Sequence, residues 1–269
     1  MKYLFNCLLL TVISFSSIFA QKLTTSSTYV KRTVNLKENI DHWKASVQSM
    51  QMTNPGGNSY NDFLITQKQI QTQKYPRKKS LKSLRKSSNI PSFNIENGFE
   101  GNLYNNKVPN DNTLAISNEG IILAGINSSY IIYDTNNDSL LLSSTLNSMT
   151  LDFMNLRFVK KYDPKFIYDH KEDRFIVVFL VGNKPLNSHV CVAFSSTNNP
   201  MEDWNVYMIE GDALSTGHWT DYPAISVTED DLFITGNLLL DGVSWQLGFN
   251  QSIIWQIDKE NGYSSADSL

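Results

Sequence analysis

The side chains best placed to do chemistry in this chain are carboxylates that recur. Asp111, Asp163 and Asp221 each open a short apolar run, followed by a polar turn and a second apolar run. Aspartates repeated at the heads of neighbouring strands could ring one mouth of a channel and hold a cation or a polar ligand. The competing use is local, because a short carboxylate accepts hydrogen bonds from backbone N–H groups of its own turn. A position repeated in every copy of a unit favours that structural use. The densest mixture of polar and aromatic groups is His218-Trp219-Thr220-Asp221-Tyr222. An exposed aromatic there would stack on a sugar ring, with His218 and Asp221 supplying hydrogen bonds, whereas large aromatics elsewhere mostly fill cores. Asp134, Asn136 and Asp138 have the alternating oxygens of a calcium loop. Ser139 stands where that loop needs glycine and Thr145 where it needs glutamate, and an Asn/Asp-rich hairpin turn accounts for the same residues.

Other chemistries find little support. There is no phosphate-cradling glycine loop, no zinc spacing and no Ser/His/Asp motif. Cys191 lies between Val190 and Val192 and reads as a buried thiol; His189 is two residues away, but a third partner is not evident. The sequence therefore names no catalytic residue, and calcium is the one cofactor it suggests.

The elements that must position these groups are strands. Asp163-Pro164 forces an extended approach to Lys165–Tyr168, and 169–173 is a polar turn. Arg174–Val181 is unbroken apolar from Phe175 onward and suits a strand buried on both faces. Gly182 and Pro185 end it, and His189–Phe194 and Trp204–Ile209 complete four strands between Tyr162 and Glu210. A weaker copy precedes this unit and another follows it, giving units near 108–150, 162–210 and 219–263. In the third copy Ser244–Phe249 and Ile253–Ile257 read as the last two strands. Repetition at this period, with four strands per unit, predicts an all-β chain of about three four-stranded antiparallel propeller blades.

The phrases DPKFIYDHKEDRFIVVF, AFSSTNNPMEDWNVY and WTDYPAISVTEDDLFITGN resemble secreted bacterial β-propeller proteins distantly related to the sialidase-type propellers. Many members of that group resemble cargo of the type IX secretion route and carry a C-terminal sorting domain. The resemblance spans about 99–263 and implies a fold more than an activity. A sialidase needs an arginine cluster, a nucleophilic tyrosine paired with glutamate, and an acid/base aspartate. The propeller region offers only Arg157 and Arg174, and Ser196–Trp204 echoes the structural Asp-box without its glycine and threonine. No sorting domain follows, and about three blades would leave open edges; the expectation is a truncated chain or a ring completed by association.

Residues 1–20 combine Lys2, an apolar core and Ala20 before Gln21, which predicts a signal peptide and a secreted or outer-surface location. Cys7 would leave with it, so Cys191 would have no disulfide partner. From 21 to 95 the chain is polar, with 13 Lys/Arg against 3 Asp/Glu. Beyond Ile95 there are 9 against 23, so the net charge of −3 hides a basic arm joined to an acidic body. Lysine clusters attract phosphate, but the export signal argues against nucleic acid, and the arm reads as a linker with little structure. Its one expected helix is Asn39–Met50. The functional expectation is an exported binding or adhesion module for a glycan or protein; the alternative is the scaffold part of a glycoside hydrolase-like enzyme.

Overall fold

The structure, a computed structural model, describes residues 30–38, 57–75, 98–103, 107, 109–244 and 247–269, with side chains of the first helix described from Asp62 onward. Three antiparallel sheets make up the body. The first holds β2 (Thr113–Ile116), β3 (Ile121–Ile126), β4 (Ser129–Asp134) and β5 (Ser139–Thr145) in that order. The central one holds β6 (Lys161–Asp169), β7 (Arg174–Val181), β8 (His189–Ser195) and β9 (Asp203–Glu210), with β1 (Val30–Asn35) added beside β9. The third holds β10 (His218–Val227), β11 (Asp231–Leu240) and β12 (Phe249–Asp258). Helix α1 (Gly57–Lys74) precedes β2, and α2 (Lys259–Tyr263) follows β12.

Strand β7 shows why the central sheet needs two neighbours. Its residues alternate across the pleat, so Phe175, Val177, Phe179 and Val181 enter the core shared with the first sheet. Ile176, Val178 and Leu180 enter the core shared with the third. Every one of these seven is shut off from solvent. Each such side chain stabilises the fold by about 1.5–3 kcal/mol on burial, which is why the run carries no polar alternation. On β6 the alternation changes phase. Tyr162 pairs with Leu180 and Lys165 with Val178, so Asp163-Pro164 is a bulge holding one extra residue. Tyr162 accordingly faces the third sheet, whereas Phe166 and Tyr168 face the first.

Several expectations change here. The third copy is a three-stranded sheet, because Phe249–Asp258 runs as one strand where two were expected. Residues 244 and 247–248 instead close a turn onto β11, with Leu240 N–H donating to Gly248 O at 2.8 Å. The arm is not structureless throughout. Val34 alternates with charged and polar neighbours on β1, and it and Leu36 are buried in the core between the first two sheets. The expected helix at 39–50 and the signal segment lie outside the described residues. The observed helix is instead α1, whose described side chains are all exposed. The three sheets form no closed ring among the described residues, and no described helix is long and apolar enough to cross a membrane.

Candidate functional site

The first strands of the three sheets lie side by side, β2 against β6 and β6 against β10. Phe166 N–H donates to Thr113 Oγ1 at 3.0 Å across the first seam. Tyr162 bridges the second, its hydroxyl donating to Gly182 O at 3.0 Å and lying 3.4 Å from Thr220 O. This arrangement brings the starts of the strands, and with them Asp111, Asp163 and Asp221, to a common end.

Asn127 at the end of β3 ties two of the carboxylates together. Its buried amide donates to Asp111 Oδ2 at 3.1 Å and to Asp163 Oδ1 at 3.2 Å. Burial, then the charges of Asp221 and Asp111, raise the Asp163 carboxyl to about 6 against the opposing pull of Lys165 and Lys160. Asp221 is also raised by burial and by Asp111, although the Tyr222 N–H and Lys160 favour its charged form. The Tyr162 phenol is pushed up by burial and by Asp221 and Asp163, so it stays protonated and donates. Lys160 Nζ lies 4.3 Å from the Tyr162 ring centroid and Lys165 Nζ 5.8 Å from that of Tyr222. Asp163 and Asp221 thus share the field of Lys160, and Asp163, raised to about 6, can hold a proton in mildly acidic solution. Such an end can accept hydrogen bonds from hydroxyls or ammonium groups, or deliver a proton.

The backbone here is unusual. Asp111 and Asp163 have φ of 49° and 52°, and in the third copy the corresponding residue is Tyr222 at 53°. Asp221 pairs with Asn237 and Ala224 with Thr235, so the second bulge is Tyr222-Pro223, matching Asp163-Pro164. Aligning the copies on aspartate therefore sets the third one residue out of register. Aspartate tolerates left-handed backbone because its side chain can bond locally; a bulky ring there is strained. Tyr222 is nonetheless 67% exposed.

The other expected residues go elsewhere. His218 is buried, its Nδ1 2.7 Å from Thr216 Oγ1, and its Nε2 has no partner among the described residues. Trp219 packs against the core between the central and third sheets. Of the four residues from His218 to Tyr222 singled out by the sequence, Asp221 and Tyr222 reach the carboxylate end. Asp134, Asn136 and Asp138 form the β4–β5 turn. Asp134 Oδ1 accepts the Asn136 and Asn137 N–H groups at 2.9 and 3.2 Å, Asn136 Nδ2 donates to Glu119 O at 2.6 Å, and Asp138 accepts the Tyr133 hydroxyl. Among the described residues no group of three or more His, Cys, Asp or Glu is arranged to hold a metal ion.

Sequence reasoning missed Asn127, Lys160, Tyr162 and Lys165. One signal was present: Asn127 follows Asp111 by 16 residues, and Asn237 follows Asp221 by the same interval. In the third copy that interval is a strand pairing instead, with Asn237 lying opposite Asp221 on β11.

No family model, curated protein or solved structure matches the chain.

Proposed function

We propose that the three sheets are successive blades of an exported β-propeller and that the end carrying Asp111, Asp163, Asp221 and Tyr222 binds a carbohydrate outside the cell. The observation that carries this reading is Tyr222, a bulky residue in left-handed backbone with its ring in solvent. Such strain costs on the order of 1–3 kcal/mol, and a glycine or asparagine would relieve it. An aromatic face kept there beside carboxylates suits a sugar ring, with the ring face stacking and the carboxylates accepting from its hydroxyls. The blade assignment draws support from the adjacency of β2, β6 and β10 and from the bulges shared by β6 and β10.

A glycan array probed with the full chain tests the reading. Tyr222→Ala and Asp221→Asn should each weaken the strongest hit by about tenfold or more. Binding that survives both substitutions, or an array with no hit, overturns it. The raised Asp163 carboxyl favours one other reading, the acid of a glycoside hydrolase. Turnover of a chromogenic glycoside that Asp163→Asn abolishes would establish that reading instead.

A further inference from the structure

A hollow of about 450 Å³ lies on the β8–β9–β1 side of the central sheet, and none of Asp111, Asp163, Asp221 and Tyr222 lines it. Its floor follows from strand register. Met208 on β9 pairs with Val30 on β1 and with Cys191 on β8. Arg32 is two residues along β1 and pairs with Val206; His189 is two residues along β8 in the other direction and pairs with Glu210. Alternation puts Arg32 and His189 on the face that carries Val34, Cys191 and Met208. The two therefore stand at opposite ends of the hollow, about 15 Å apart by strand spacing and rise, with Met208 between them. Phe153 and Leu156 line the same hollow, and Leu186, fully exposed, lines it too.

The polar groups are not equivalent. Arg32 lies 5.9 Å from the Phe153 ring and donates to Lys31 O at 3.0 Å, and among the described residues it makes no ion pair. His189 Nδ1 is 3.0 Å from Asn187 O, and since a carbonyl only accepts, that nitrogen carries the proton. Asp152 also lines the hollow and is already engaged. The uncommitted charge is thus the guanidinium at one end of a trough in which apolar side chains, Phe153, Leu156, Leu186 and Met208 among them, alternate with the polar Asn155, Asn187 and His189.

We propose that this trough binds a small amphiphilic carboxylate, with a medium-chain fatty acid as the simplest occupant. The planar guanidinium accepts a carboxylate in a two-point pairing, and methionine and leucine adapt to an alkyl chain. The volume falls within the usual range for small-molecule sites. The site does not depend on the carbohydrate reading, and either can fail alone.

Calorimetric titration of the full chain with octanoate, octanol and acetate tests it. Octanoate should bind saturably at one site, with octanol and acetate weaker by about tenfold or more. Arg32→Gln, at an exposed position, should weaken octanoate by about tenfold and leave octanol unchanged, whereas Leu186→Asp should weaken both. The proposal is overturned if octanoate shows no saturable binding at millimolar concentration, if octanol matches it, or if Arg32→Gln leaves octanoate binding intact.

Discussion

Two turns of the molecule share a sequence pattern and differ in what surrounds them. Tyr133-Asp134 to Asp138 joins β4 to β5, and Tyr168-Asp169 to Asp173 joins β6 to β7. In both, the first aspartate accepts the N–H groups two and three residues ahead, at 2.9 and 3.2 Å in one and 3.2 and 3.4 Å in the other. The second aspartate is left-handed, with φ of 48° and 56°, and receives the tyrosine hydroxyl. The difference lies in the spare oxygen. Asp134 Oδ2 accepts from the Asn137 amide at 2.7 Å on the surface. Asp169 Oδ2 accepts from Lys259 Nζ at 2.5 Å and from the Tyr263 hydroxyl at 3.0 Å. Lys259 also donates to Thr228 O at 2.8 Å, so the second turn fastens the central sheet to the β10–β11 turn and α2. A local pattern builds the same turn twice, and the neighbours decide whether it matters to the rest of the fold.

The sharpest way to break this comparison is to remove the two aspartates in turn. The Lys259 and Asp169 side chains are only 2% and 4% exposed. Asp169→Ala would leave a buried ammonium without its counter-charge and should cost about 3–5 kcal/mol, read as a lowered urea midpoint. Asp134→Ala should lower the midpoint far less, since its bonds are replaced by water. Equal losses would mean that the buried pair contributes nothing beyond its turn. Combining Asp169→Leu with Lys259→Met should recover much of the loss, because a well-packed apolar pair avoids desolvating two charges. Acid gives a second readout. Burial raises the Asp169 carboxyl, but bonds from Lys259 and Tyr263 outweigh it and hold the group below its ordinary value. Its contribution is therefore present above about pH 4 and lost as pH falls further.

Helix α2 sharpens the same point from the other side. A Cβ on Gly262 would come within 2.4 Å of the Phe194 ring, which is already packed edge-on by Tyr263 at 5.2 Å and Tyr207 at 6.2 Å. Asn205 Nδ2 donates to the carbonyls of Gly262 and Tyr263 at 3.0 and 3.3 Å, so the helix cannot simply lift away. Gly262→Ala should cost about 1–3 kcal/mol in the same unfolding measurement. An unchanged midpoint would show that α2 is not seated on the central sheet as described.

Much of this fold was legible because burial on both faces leaves a direct mark. The run Arg174–Val181 is β7 to the residue, and the expected His189–Phe194 is β8 short only of its last residue, Ser195. What escaped were features set by partners distant in sequence. Val34 and Leu36 look like isolated apolar residues in a basic arm, and only pairing with β9 gives β1 its role. Lys259 reads as a surface lysine until Asp169, 90 residues earlier, is brought against it. At the carboxylate end the three aspartates were visible as a repeat. The bulge that exchanges Asp163 for Tyr222 was not, because register belongs to the paired strands and cannot be seen in one of them.

The smallest effect concerns Asp163, whose carboxyl is perturbed in the opposite sense to that of Asp169. Raised from 3.8 to about 6 by burial and by its acidic neighbours, it binds a proton more tightly folded than unfolded. The folded state therefore loses stability as pH rises from about 4 to about 6, and the full penalty stands above that window. A two-unit shift at a fully buried group would be worth about 3 kcal/mol; Asp163 is partly exposed, and solvent screening reduces this to about 1–2 kcal/mol. Asp163→Asn keeps an oxygen for the Asn127 amide and removes the charge. Its urea midpoint should match that of the unaltered chain near pH 4 and exceed it near pH 8. Because the Asp221 carboxyl is raised in the same field, the transition should be broader than that of a single group. A gain of equal size at every pH would mean that the carboxylates do not sense one another.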